Sequence, residues 1–209
     1  MRDVISALPA WRAFLRSRSP VTFAVTAVAV AATSSLVPLG SVDVPGTGLA
    51  RAAVPFLIVP MLVVVPWAAC VSRPSRELEM FLPARLMRLR RIVWLAGATL
   101  VLVATPALIG AARADHELGG VATARNVLLA IAVTTICGML LPSRVAWVPP
   151  LLGGLLLWLF GTVDGVATPA AWSLPHRTGD DILSAAVSVA AWIVAAALYT
   201  ALDGRARSD

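Results

Sequence analysis

Six stretches of this sequence, at about residues 21–40, 52–71, 92–111, 127–141, 146–163 and 182–202, run without one Asp, Glu, Lys, Arg or His. About 20 consecutive apolar residues make a helix long enough to cross the ~30 Å hydrocarbon layer of a bilayer. In lipid the backbone must satisfy its own polar groups, which helices do within one segment. The pattern therefore predicts an all-α integral membrane protein with six transmembrane helices in one domain, residues 1–209. Composition agrees: 59% of residues are hydrophobic and 13% charged, against roughly 45–50% and 25% in soluble domains. Six spans leave no room in 209 residues for a separate soluble catalytic domain.

Orientation follows from charge. All 17 basic residues are arginine, and basic residues gather on the cytoplasmic side of membrane helices. With both termini cytoplasmic, thirteen arginines fall inside and four (Arg51, Arg113, Arg125 and Arg177) outside. An odd number of spans would spoil that asymmetry. The arginines flank apolar runs, so topology and anionic lipid headgroups account for the net charge of +6 better than nucleic acid does. The absence of lysine hints at a GC-rich bacterial genome, and the predicted location is a bacterial plasma membrane.

The densest charged interruption is SRPSRELEMFLPARLMRLRR, residues 72–91, with six arginines. Within it, Ser75 suits a helix N-cap, Glu77 and Glu79 lie where the helix dipole favours anions, and Pro83 ends the segment. A short cytoplasmic helix over 75–82 is expected, with Leu78, Phe81 and Leu82 on one apolar face. Residues 2–18 carry a second amphipathic pattern: Ile5, Leu8, Trp11 and Leu15 form a stripe opposite Arg12 and Arg16, as in a helix lying in the membrane interface. No cleaved signal peptide is read there. Residues 164–181 lie outside but are too apolar for a free loop, and read as a re-entrant or interfacial segment.

Pro55, Pro60 and Pro66 should bend the second span, and Gly153 and Gly154 in the fifth allow close helix approach, within the chain or in a dimer. Catalytic chemistry is not expected. Neither His116, between Asp115 and Glu117, nor His176, near Asp180 and Asp181, has the convergent partners of a metal site. Ser184 and Ser188 read as helix-packing hydroxyls, and Cys70 and Cys137 as small buried hydrophobes. Span interiors free of ionisable groups disfavour a proton-coupled carrier. A phosphate-binding loop of the G-x-x-x-x-G-K-[ST] type needs a lysine, so any ATP must be handled by another chain.

Taken together, MRDVISALPAWRAFLRSR, SRELEMFL and GVATPAAWSLPHRTGDD, placed around six spans, resemble the membrane (permease) subunit of type-2 ATP-binding-cassette exporters. That resemblance implies a partner ATPase holding ATP and Mg, a second permease subunit, and no cofactor on this chain. It implies that Arg76, Glu77, Leu78, Glu79 and Phe81 contact the ATPase. It also implies a pathway lined by the second and fifth spans, with Phe56, Pro60, Trp158 and Phe160 as candidate lining residues and a drug, lipid or peptide as cargo. Two alternatives stay open: a substrate-capture subunit of a vitamin importer, using Ala27 and Ala31 to recruit its motor, and a noncatalytic membrane scaffold.

Overall fold

A computed structural model describes residues 20–36, 40–43, 50–53, 55–71, 84–112, 117–142, 144–163, 168–169, 173–177 and 180–202. The expected interfacial helix over 2–18 and cytoplasmic helix over 75–82 lie outside these residues. Among them are six α-helices: α1 (Pro20–Leu36), α2 (Pro55–Val71), α3 (Ala84–Ala112), α4 (Glu117–Leu140), α5 (Val148–Phe160) and α6 (Ile182–Leu202). Two short antiparallel hairpins join some of them. Strands β1 (Gly40–Asp43) and β2 (Ala50–Ala53) pair between α1 and α2, and β3 (Thr162–Val163) and β4 (Thr168–Pro169) pair after α5. A 3-10 turn, Leu174–His176, precedes α6.

Three helices are long and apolar enough to cross a membrane: 88–112 in α3, 120–140 in α4 and 182–201 in α6. The apolar parts of α1, α2 and α5 are shorter. With 13 residues, α5 is about 20 Å long at 1.5 Å per residue, less than the hydrocarbon layer.

Two helix starts correct the sequence-based boundaries. α3 begins at Ala84 rather than near residue 92, because the Leu, Met and Arg residues after Pro83 are good helix formers and nothing interrupts them. α4 begins at Glu117 rather than near 127, and so takes in Arg125 and Asn126.

α4 is the central helix. In its most apolar stretch 61% of residues are buried, against 28% in α3 and 22% in α6, and it packs on α2, α3 and α6. The core joins Val59, Val63, Trp67 and Val71 of α2 to Leu95, Ala98 and Leu102 of α3, Val127 and Ile131 of α4, and Tyr199 of α6. These positions recur at helical spacing, while Leu62, Val65, Leu100 and Val133 of the same helices are exposed and equally apolar. Lipid offers no hydrophobic drive to separate the two faces, so close packing and interhelical hydrogen bonds must hold the helices together. The Trp67 indole donates to Thr135 Oγ1 at 2.9 Å and stacks on Trp94 at 5.5 Å between ring centroids. The Trp192 indole donates to Thr99 Oγ1 at 3.2 Å, tying α6 to α3. Thr135 in turn donates to the Ile131 carbonyl one turn back, which keeps a buried hydroxyl satisfied.

α3 and α4 meet closest at two glycines. A Cβ at Gly120 would lie 2.6 Å from the Gly110 Cα and 2.9 Å from the Pro106 carbonyl oxygen, both backbone atoms that cannot rotate away. At Gly97, also in α3, a Cβ would meet nothing within 4 Å. Gly120→Ala is therefore expected to force the helices apart at a cost of about 1–3 kcal/mol, whereas Gly97→Ala should be neutral or slightly stabilising. Thermal unfolding of both variants in detergent checks this, and equal effects would show that the contact does not matter.

Candidate functional site: a latched apolar cavity

Between α2, α4 and α5 lies a cavity of about 160 Å³. Met61 and Val64 wall it on α2, Leu129 and Val133 on α4, and Pro150 and Leu157 on α5. Small and ring side chains open the space. Ala130, Gly153 and Gly154 lack bulk where the helices face one another, and Pro60 and Pro149 bring rigid rings to the wall. No lining residue is ionisable, so a charged guest would give up its hydration with no opposite charge to replace it.

Pro175 and Asn126 wall the cavity at the end nearest the 3-10 turn. That turn presents carbonyls inward, and Arg125 collects them. One guanidinium nitrogen, Nη2, donates to the carbonyls of Leu174 (3.3 Å), Pro175 (3.3 Å) and Arg177 (2.8 Å). Arg125 Nε donates to Asn126 Oδ1 at 3.2 Å, and Asn126 Nδ2 donates to the Pro175 carbonyl at 2.8 Å. Arg125 and Asn126 are both buried, with 6% and 4% of their surface exposed. The guanidinium thus sits where a free cation would otherwise be needed to satisfy the turn.

Other helices hold the same turn. Ser184 Oγ of α6 donates to the Leu174 carbonyl at 3.3 Å. Ser173 Oγ and His176 Nδ1 share a hydrogen bond at 2.5 Å. The His176 ring lies against Gly161 at the end of α5, where a Cβ would collide with it. Asp181, just before α6, accepts from the Ser184 backbone N–H at 3.4 Å and from the Ser184 hydroxyl, and pairs with Arg177 at 3.3 Å. This is a helix N-cap with a cation beside it. The Ser184 hydroxyl first, and Arg177 with it, holds the Asp181 carboxyl below its ordinary range against the opposing effect of desolvation.

Burial of Arg125 corrects the expectation that all span interiors are free of ionisable groups. Nothing local distinguishes a solvated arginine ahead of an apolar run from one inside the helix. The available signal was that the residues from Gly119 to Arg125 contain no proline to stop a helix. Because arginine is not deprotonated in proteins, Arg125 brings charge without bringing a proton relay. Ser184 is more than a packing hydroxyl, since it links the turn to α6. Cys70 and Cys137 are free thiols.

Of the four expected pathway residues, Pro60 lines the cavity. Phe160 is 62% exposed on α5, and Trp158 is half-buried away from the lining, with its indole N–H finding no hydrogen-bond partner among the described residues. Phe56 belongs to α2, but its side chain lies outside the described residues, as do Arg76, Glu77, Leu78, Glu79 and Phe81. Asp115 and His116 also lie outside them. No group of three His, Cys, Asp or Glu able to hold a metal occurs among the described residues.

Arg125→Ala should strand three carbonyls and lower stability by about 1–3 kcal/mol per unsatisfied acceptor at most. Millimolar guanidinium should restore part of the loss, and thermal unfolding with and without the ion reads this. Lysine at 125 should rescue less, lacking the planar fork.

Asp181 predicts a pH dependence. Its native pKa lies below the unfolded value of about 3.9, so its stabilising contribution is complete above that pH and is lost as pH falls through the native pKa. Asp181→Asn keeps a capping side chain but not the charge. The stability gap between the two proteins should close as pH drops below about 4, and a gap independent of pH would refute the assignment.

No protein-family model, no curated protein and no solved structure matches this chain, so its function is read from its own residues.

Proposed function

We propose that the chain is the permease subunit of an ATP-binding-cassette transporter, moving a hydrophobic or amphipathic cargo across a bacterial plasma membrane. In this reading all six apolar helices cross the bilayer, α1, α2 and α5 by tilting or by local thinning of the lipid. Both termini face the cytoplasm. Energy comes from a separate ATPase docked on residues 75–82, where Glu77 and Glu79 meet it, and a second permease subunit completes the complex.

The observation that carries this reading is the uncharged cavity between α2 and α5, the two helices that the resemblance assigns to the pathway. Its apolar walls suit an apolar cargo. Pro60 and Pro66 within α2 weaken that helix's own hydrogen-bond ladder, which makes it the natural element to bend when a motor pushes on the adjoining segment. Arg125 fixes the turn at the far end and gives α2 and α5 something rigid to move against.

One observation favours the substrate-capture alternative: the cavity is walled by a single chain and needs no second subunit to form. The two readings share a partner ATPase and differ in stoichiometry. Affinity purification of the tagged full chain from its native membrane, followed by identification of copurifying proteins and an ATPase assay, tests them. A bound ATPase whose activity falls at least tenfold on joint Glu77→Ala and Glu79→Ala substitution is the expected result. Two copies of this chain per complex would support the permease, and one copy the capture subunit. A folded preparation without any ATPase would overturn both.

A further inference from the structure

The cavity between α2, α4 and α5 has a size as well as a polarity, and in a membrane protein the size decides more. A hydrocarbon guest in the bilayer is already out of water, so moving it into the cavity gains little from the hydrophobic effect. What remains is dispersion contact with the walls, which falls off steeply with any gap. A void of about 160 Å³ is close to the ~150 Å³ cavity that takes up benzene in a soluble protein. We propose that this cavity is a binding site for a compact, uncharged hydrocarbon group about the size of a benzene ring, selected by volume rather than by hydrophobicity. The group can belong to a free small aromatic or to the end of a lipid acyl chain.

Three features support a site over a packing defect. The lining joins three helices with no ionisable side chain, which excludes charged guests. Its bulk is withheld at facing positions, by Ala130 on α4 and by Gly153 and Gly154 on α5. Gly154 has room for a larger residue: a Cβ there would touch only the flexible Met61 side chain, at an ordinary 3.4 Å. Pro175 closes one end of the cavity on a turn held by Arg125, Asn126, Ser184 and the His176 seat. The empty volume therefore survives next to side chains that could have filled it. The inference deepens the proposed function, and its biological meaning rests on that reading, but the binding itself needs no ATPase.

The test uses the full chain and fluorine NMR of fluorobenzene. In detergent the native protein should show saturable binding. Ala130→Leu, which fills the space, should weaken it by at least about tenfold, roughly 1.4 kcal/mol. Gly154→Ala intrudes less and should weaken it by a smaller factor, and it keeps the test open if Ala130→Leu does not fold. Fluoronaphthalene should not bind. Repeating the titration in phosphatidylcholine nanodiscs separates the sources: weaker binding there means that acyl-chain ends compete for the site, and unchanged binding means that a free aromatic is the guest. Absence of saturable binding to the native protein overturns the proposal, as does equal binding to native and both variants, or equal binding of fluoronaphthalene. Fluorobenzene binding without a copurifying ATPase would overturn the transporter reading and leave this one standing.

Discussion

Three carbonyl oxygens that converge on one guanidinium nitrogen set the terms for the rest of this structure. The turn from Ser173 to Arg177 enters the helix bundle with Leu174, Pro175 and Arg177 facing inward, and each unpaired carbonyl in an apolar setting would be expensive. Arg125 answers all three, and Asn126 answers Pro175 a second time. The turn can then be buried rather than solvated. Once it is buried, it joins the ends of α4, α5 and α6 and closes one end of the cavity.

The position of Arg125 on α4 explains why one side chain has such reach. α4 packs against α2, α3 and α6, so whatever α4 fixes is fixed for most of the bundle. Its other contacts rely on small or hydroxyl-bearing residues: Gly120 against Gly110, and Thr135 receiving Trp67 from α2. These are the means by which helices associate when apolar surface alone gives no preference between neighbour and lipid. α5 is the exception. It is short, makes fewer approaches to the bundle, and meets it partly through glycine and proline, which is why the cavity lies on its inner side.

A cavity of this kind fits the transport reading through its chemistry rather than through any motif. Its walls can hold an apolar group but can neither transfer a proton nor polarise a bond. The one buried charge beside it is fully engaged in holding the turn. Energy for directional movement would have to come from elsewhere, which gives the charged segment after α2, and Glu77 and Glu79 within it, their proposed role as the docking point for a motor.

The sequence by itself determined the class of the protein and much of its helix plan. Apolar runs bounded by arginines specify membrane helices whatever the details of packing, and α6 matches its apolar run at 182–202 from end to end. Pro60 and the Gly153–Gly154 pair were visible as places where helices would bend or approach. What only the tertiary structure decided is which apolar face is core and which is lipid-facing, because Val63 and Val65 on α2 read alike in sequence yet one is buried and the other exposed. It also decided that Arg125 lies inside a helix and not in a loop. That outcome depends on three carbonyls some fifty residues away, and a contact at such separation leaves no periodicity in the chain around it.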